Sequence, residues 1–403
     1  MRNAIFLFTL LALTGRAAAQ QPDPPPAQPP AEQPAPPPIE PPAQPPADTI
    51  VNTPPPPVEP EKKPEDPPPG KKLAVGTKGL LNFGMLAQGW YQHERAGDAT
   101  QISQFRIRRA EISVNGEILP KKVGYRVMFD PARVLDTQGK VTVVDAAGNT
   151  VTINNDARVS VLQDFFITAL TPYAEISVGQ FKIPVSWEGY NSSGKLTFVE
   201  RDIVSNTFGD KRDIGLRVTK TFSQWMYSAG LFNGTGQDNP DNNIQKDIAL
   251  RLEAYPVKGL TLAGVTYDSV GIRNRAGTKD RWEADVRYEH GPILLQGEVI
   301  LAQDVAKDNE DAIKGHGFYA LAGYSFPDVD KTFHGVLQPV VRFGMFEPNG
   351  DVDDDELTHF DVGANYYLQK HEMKLQLAYS RIQFKADMKD ANNQLLLAAQ
   401  VTY

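Results

Sequence analysis

From about Leu81 to Tyr403 apolar and polar residues alternate with a period of two, segment after segment. A period of two is the signature of a strand with two unlike faces, because successive side chains point to opposite sides of a sheet. The clearest run is Arg281 to Glu289, where Trp282, Ala284, Val286 and Tyr288 alternate with Arg281, Glu283, Asp285, Arg287 and Glu289. Sixteen such segments are predicted, beginning near Leu81, Phe105, Val123, Val159, Ala174, Ile214, Trp225, Ile248, Leu260, Arg281, Ile293, Phe318, Leu337, Phe360, Met373 and Leu395.

The connections narrow the fold further. Short ones at Glu117–Lys122, Thr171–Pro172, Phe222–Gln224, Pro256–Gly259, His290–Pro292 and Gln369–Glu372 alternate with long polar ones. The long ones span Pro131–Arg158, Ile183–Lys211, Gly234–Lys246, Asp268–Asp280, Gln303–Lys314 and Glu347–Leu357, and only Pro327–Gly335 is intermediate. Short turns at one rim and long loops at the other are the pattern of a transmembrane, antiparallel up-and-down β-barrel. One face carries Trp282, Tyr288, Phe318, Tyr324, Phe360 and Tyr366, as a lipid-facing belt requires, and the other carries mid-strand charges such as Arg126, Asp164, Arg217, Arg251, Asp285 and Arg287. A soluble sandwich would hide one face as a dry core. A charged face inside sixteen strands lines an aqueous lumen instead. Lipid satisfies no backbone group, so the sheet must close, and the strand near Leu81–Tyr91 is expected to pair with Leu395–Tyr403.

Two segments precede the barrel. Residues 1–19 read as a cleaved secretory signal: Arg2, an apolar run from Ala4 to Leu13, and Ala17-Ala18-Ala19 before Gln20. Residues 20–75 read as a disordered, proline-rich periplasmic linker, with the barrel domain at 76–403. The stretch Gln21–Gly70 holds 23 of the 33 prolines and no aromatic residue. It has too little apolar surface to offset its ordering entropy, and as polyproline II it could span up to about 150 Å. Before residue 71 the only cations are Arg2, Arg16, Lys62 and Lys63, against eight carboxylates, so of the net charge of −8 only −4 belongs to residues 71–403. The mean hydropathy of −0.37 is therefore an average of unlike parts, and within each strand the lumen half cancels the apolar half.

Catalytic signatures are sparse. The chain has no cysteine, which excludes disulfides, Cys-ligated metals and a thiol nucleophile. The six histidines, at 93, 290, 316, 334, 359 and 371, show no metal-binding spacing, and there is no nucleophile elbow or phosphate-binding loop. Gly234-Thr235-Gly236 is a loop tip. The acidic loops around Asp351–Glu356 and Asp304–Asp311 lack the spacing of a calcium loop and read as solvated. No enzyme activity, cofactor, metal site or nucleic-acid partner is expected.

The cations say more. Around Phe105-Arg106-Ile107-Arg108-Arg109-Ala110-Glu111-Ile112 the alternation slips by one, so a β-bulge at Arg108/Arg109 is expected to aim Arg106, Arg108 and Arg109 into the lumen, with Glu111 partly neutralising them. Arg126 falls on the same face. The loop Ile183–Lys211, longest of the set, carries Pro184, Trp187, Lys195, Phe198 and Arg201, and a loop with its own apolar residues is expected to fold into the lumen. Lys182 precedes it and Arg212 follows it, with Arg217 on the next strand. These nine cations either bind solute or pair with lumen acids such as Asp130, Asp164 and Asp213 to stiffen the wall.

Several blocks of residues together resemble the phosphate-selective porin O and P family of outer-membrane channels. They are Phe105–Gly116, Val178-Gly-Gln-Phe-Lys-Ile-Pro184, Phe198-Val-Glu-Arg201, Arg212-Asp-Ile-Gly-Leu-Arg217, Tyr227–Gly234 and Gly315–Phe326. The resemblance implies a homotrimer of sixteen-stranded barrels, a constriction built by the infolded loop, and anion conduction past lysines and arginines. By motif position it carries Arg106, Arg108, Arg109, Lys182 and Arg201 over as lumen cations. The expectation is a passive diffusion porin in the Gram-negative outer membrane, embedded in its lipid, for small anionic solutes such as phosphate. An alternative from another class is a barrel anchor whose proline-rich arm tethers the membrane to a periplasmic partner. A third is an outer-membrane hydrolase.

Overall fold

In a computed structural model, which describes residues 73–75, 79–96, 100–136, 141–144, 150–153, 160–209, 211–270, 277–308, 310–385 and 391–403, the chain closes into a sixteen-stranded antiparallel barrel. The strands are β1 Gly79–Ala96, β2 Thr100–Leu119, β3 Val123–Phe129, β4 Leu162–Leu170, β5 Glu175–Lys182, β6 Arg212–Thr221, β7 Trp225–Phe232 and β8 Asp247–Ala254. They continue as β9 Leu260–Ser269, β10 Lys279–His290, β11 Ile293–Asp304, β12 Ile313–Tyr324, β13 Val336–Glu347, β14 Leu357–Gln369, β15 Met373–Phe384 and β16 Asn392–Thr402. Each pairs with its neighbours in sequence, and β16 pairs with β1 from Asn392↔Ala96 to Thr402↔Leu86, as the sequence predicts. Leu73–Val75 adds a short strand against Gly79–Leu81. The expected signal peptide and nearly all of the expected linker lie outside the described residues.

The two faces separate as the alternation requires. Along β11, Leu295, Val299 and Leu301 point outward and are exposed, while Gln296, Glu298, Ile300 and Ala302 are buried inside. Trp282, Phe318, Tyr324 and Phe360 stand on the outer face. In β2 the register slips opposite Gln88/Gly89: Gln88 faces Arg109, Gly89 faces Ile107, and Arg108 is the extra residue. That is the expected bulge. It keeps Arg106 and Arg109 on the inner face although three positions separate them.

The rims differ in length, with two departures from the sequence reading. Only residues 97–99 join β1 to β2 at the long-loop rim. The connection between Phe129 and Leu162 exceeds Ile183–Lys211 in length, and it contains its own hairpin, Val141–Val144 against Thr150–Ile153. The intermediate turn between Tyr324 and Val336 is organised by Asp330, whose carboxylate accepts from the backbone N–H groups of Thr332, Phe333 and Gly335 and from the Tyr366 hydroxyl.

Residues 183–209 fold into the lumen. The turn inward is made at Ser186, which takes a left-handed φ of 65° and caps the short helix Trp187–Tyr190 by accepting from Gly189 N. Gly209 must be a glycine there, because a Cβ would lie 2.1 Å from the Ser186 Cβ. Wall carboxylates take the first amides: Glu283 of β10 accepts Ser186 N at 2.5 Å and Glu298 of β11 accepts Trp187 N at 3.0 Å. Wall donors take the later carbonyls. Gln400 of β16 reaches Gly194 O, Lys374 of β15 reaches Leu196 O at 2.7 Å, and Asn365 of β14 reaches Thr197 O. A loop that sheds water must satisfy its backbone groups elsewhere, and here the wall supplies both donors and acceptors.

Candidate solute-binding site in the lumen

Against the wall of β3 to β6 the infolded loop leaves a cavity of about 230 Å³. Four of the expected cations line it: Arg126 from β3, Lys182 from the end of β5, and Arg212 and Arg217 from β6. Gly179, with φ 136° and its backbone packed so closely that a Cβ would lie 2.1 Å from the Phe165 carbonyl, sits just before Gln180, Phe181 and Lys182. Among the described residues two carboxylates, Glu111 and Asp164, share the lining.

Asp164 divides itself between two guanidiniums. Its Oδ2 accepts Arg126 Nε at 2.9 Å and its Oδ1 accepts Arg212 Nε at 2.9 Å, so one negative charge serves two positive ones. Lys182 Nζ donates to the carbonyls of Gly189 at 2.6 Å and Asn191 at 2.7 Å, which orients the ammonium. Arg217 stands 4.4 Å from the Phe181 ring centroid and near Phe166 and Tyr190. Among the described residues no carboxylate pairs with it, and its Nε has no hydrogen-bond acceptor. Aromatic faces hold a guanidinium in place without neutralising it.

The other predicted cations lie elsewhere in the lumen. Arg106 and Arg108 sit over the buried Trp90 ring at 5.8 and 5.5 Å. Arg108 Nε meets Glu200 of the loop at 2.6 Å, and the buried Arg109 reaches the same carboxylate at 3.2 Å and Gln88 at 2.7 Å. Burial works to raise the Glu200 carboxyl, but Arg109, Arg108 and Arg201 outweigh it and hold the group at about 2. The neutralising acid for this cluster is therefore Glu200, where the sequence reading expected Glu111, which makes no ion pair with these arginines among the described residues. The loop's direction of infolding decides this, and spacing along β2 carries no signal of it. Arg201 is buried and spent on shaping the loop, donating to Glu188 O at 2.7 Å and Ser193 Oγ at 3.1 Å. Lys195 is exposed on the loop, close enough for its charge to bias His371.

The two other expected acid partners also differ from expectation. Asp130 lies 3.8 Å from Arg133 and accepts Ala110 N, while Asp213 accepts Ile214 N and Gly234 N.

Two other arginines of the wall are outnumbered by carboxylates. Arg251 is buried among Glu253, Glu283 and Asp285 of the strands, and Arg342 among Asp361 of β14 and Asp202 and Glu188 of the loop. Burial pushes the Glu188 carboxyl above the ordinary range, even beside Arg342. Among the described residues no group of His, Asp or Glu is arranged to hold a metal ion.

A closed sixteen-strand barrel with an apolar outer belt, a charged interior and an infolded loop defines an outer-membrane channel. The sequence profile described as phosphate-selective porin O and P matches residues 87–280 and 261–403. The chain belongs to that family. Its fold is shared by the outer-membrane channel DcaP of Acinetobacter baumannii, with a TM-score of 0.54 at 10% identity over 82% of this chain and 99% of the other. It is similar to OmpF of Salmonella typhi, solved with daunomycin, at 0.54 and 12% over 82% and 100%. The anion-selective porin of Comamonas acidovorans aligns at 0.51 and 11% over 81% and 100%. At these identities the likeness establishes fold alone. No curated protein matches the chain.

Proposed function

We propose that the channel conducts small anions, phosphate among them, past the β3–β6 wall. The observation that carries this reading is the imbalance in the cavity beside the loop, where Arg126, Lys182, Arg212 and Arg217 face Glu111 and Asp164. Cations there replace part of the hydration shell of a passing anion while leaving it free to exit. The net charge of −4 on residues 71–403 is compatible with this. Glu188 and Asp202 of the loop and Glu283, Asp285, Glu298 and Asp361 of the wall are all buried, and Glu283 and Glu298 hold the loop. Charges committed to buried partners contribute little to the field along the water path.

The test is the reversal potential of the purified protein in a planar bilayer under a KCl gradient. Anion preference is expected, and a cation-selective channel overturns the proposal. The family resemblance also supports a homotrimer. The mass of the detergent-solubilised protein tests that, with a monomeric mass as the contrary result.

A further inference from the structure

We propose that a second cavity, at the long-loop rim, binds aromatic carboxylates in preference to small anions without an apolar body. This deepens the anion-channel reading and rests on it. The cavity measures about 460 Å³ and opens where the infolded loop leaves and rejoins the barrel. That is the size of a site for a small organic molecule, built from apolar walls with a few placed charges.

Its two sides are chemically unlike. Ile183, Val185, Phe208 and Tyr267 line it, and all four are buried residues that form part of the apolar packing beside the loop. Lys279 and Arg281, two residues apart on β10 and so on one face, line it as well. Arg281 Nη1 is fixed by Asp304 at 2.7 Å, and its guanidinium stands 5.0 Å from the Phe208 ring centroid. A charge and a ring face are thus presented together, which is the arrangement that takes a carboxylate and its attached ring at once.

The charge count agrees. Among the described residues Arg133, Lys211 and Arg212 complete the cationic lining, against the carboxylates of Asp213 and Asp304. Arg212 belongs to both cavities, so an anion leaving the outer one meets the first cation of the inner one without crossing an uncharged gap. Phosphate would satisfy the cations and leave the apolar side facing water. A ring on the same charge removes that surface from water, and the gain is in addition to the electrostatic one.

The test uses the full chain in a planar bilayer, with benzoate or acetate added to the long-loop side. Both carry one negative charge. Benzoate is expected to block the current at concentrations about tenfold below acetate, as burial of roughly two methylene groups gives. Phe208→Ala should remove that preference. Because Phe208 also packs on Phe346, Val185→Thr, which keeps the side-chain shape and adds a hydroxyl, is the second variant and should reduce it. Equal block by benzoate and acetate in the unaltered channel overturns the inference while leaving anion conduction standing. So does a benzoate preference that survives in both variants. A cation-selective reversal potential instead overturns the underlying reading.

Discussion

Glu200 of the infolded loop and Arg108 of β2 lie 92 positions apart in sequence and 2.6 Å apart in space. With Arg109 on the same carboxylate, this contact ties the narrowing element to the wall and also cancels part of the positive charge beside Trp90. Glu200→Gln keeps the shape and removes the charge. The anion-to-cation permeability ratio should rise roughly two- to fivefold, since the field in a low-dielectric cleft follows its lining charges. Reversal potentials on the variant check this, and an unchanged ratio would show that the cluster lies off the ion path.

Arg217 and Arg126 line the same cavity but differ in what holds them. Arg126 shares Asp164, whereas Arg217 is held by aromatic rings. Arg217→Gln should raise the phosphate concentration for half-block about tenfold, a loss of about 1.4 kcal/mol. Arg126→Gln should cost less, because it releases half of Asp164 to Arg212 as it goes. Titration of single-channel current with phosphate separates the two, and equal effects would refute the distinction.

Lys374 is buried in the wall and donates to Leu196 O of the loop. Lys374→Met leaves that carbonyl without its donor, a cost of about 1–3 kcal/mol for a buried polar group. The loop should loosen before the barrel does. The expected record shows larger and noisier single-channel current with the barrel still resistant to heat in detergent. Quiet current of wild-type size would mean the other loop contacts suffice.

Two groups outside the strands set opposite expectations for acid. Glu200 is held at about 2, below its ordinary 4.5, so its contribution to stability is complete above about 4.5 and is lost only as pH falls toward 2. The loop clasp should therefore be unchanged between pH 7 and 5. His371, in the turn after β14, is pushed down to about 4 by burial and then by Lys374, Arg287 and Lys195. Its native state refuses a proton that the unfolded chain takes up below about 6.5, so stability should decline as pH drops from 6.5 to 4. His371→Gln should flatten that part of a thermal-stability profile; the same slope in the variant would assign it to another group.

Val299 and Ile293 both face outward from β11, one in mid-strand and one at its short-turn end. Arginine at position 299 should destabilise the barrel by about 2–4 kcal/mol, and at 293 by about 0–1. Unfolding in urea from lipid vesicles measures both. Equal costs would place the apolar belt at a different height.

Much of this architecture was legible in the sequence because it rests on local periodicity. Sixteen strands, the closure of the last on the first and the slip at Arg108 all follow from which residues alternate and where parity breaks. The infolding of Ile183–Lys211 was legible from its apolar residues. Less legible was the use of each cation. Nine were expected along the lumen, and four of them, Arg126, Lys182, Arg212 and Arg217, gather around one cavity. Arg201 has the same charge and comes from a recognisable motif, yet its donors go to Glu188 O and Ser193 Oγ within the loop.

The sequence by itself determined that the chain forms a closed barrel with one apolar face, because alternation and turn length are properties of neighbours along the chain. The tertiary structure alone decided which charges meet. Asp164 reaches Arg212 across 48 positions, Glu200 reaches Arg109 across 91, and Glu283 reaches Ser186 N across 97. Coulomb energy and hydrogen bonding depend on distance in space, and an infolded loop sets those distances without leaving a period in the sequence.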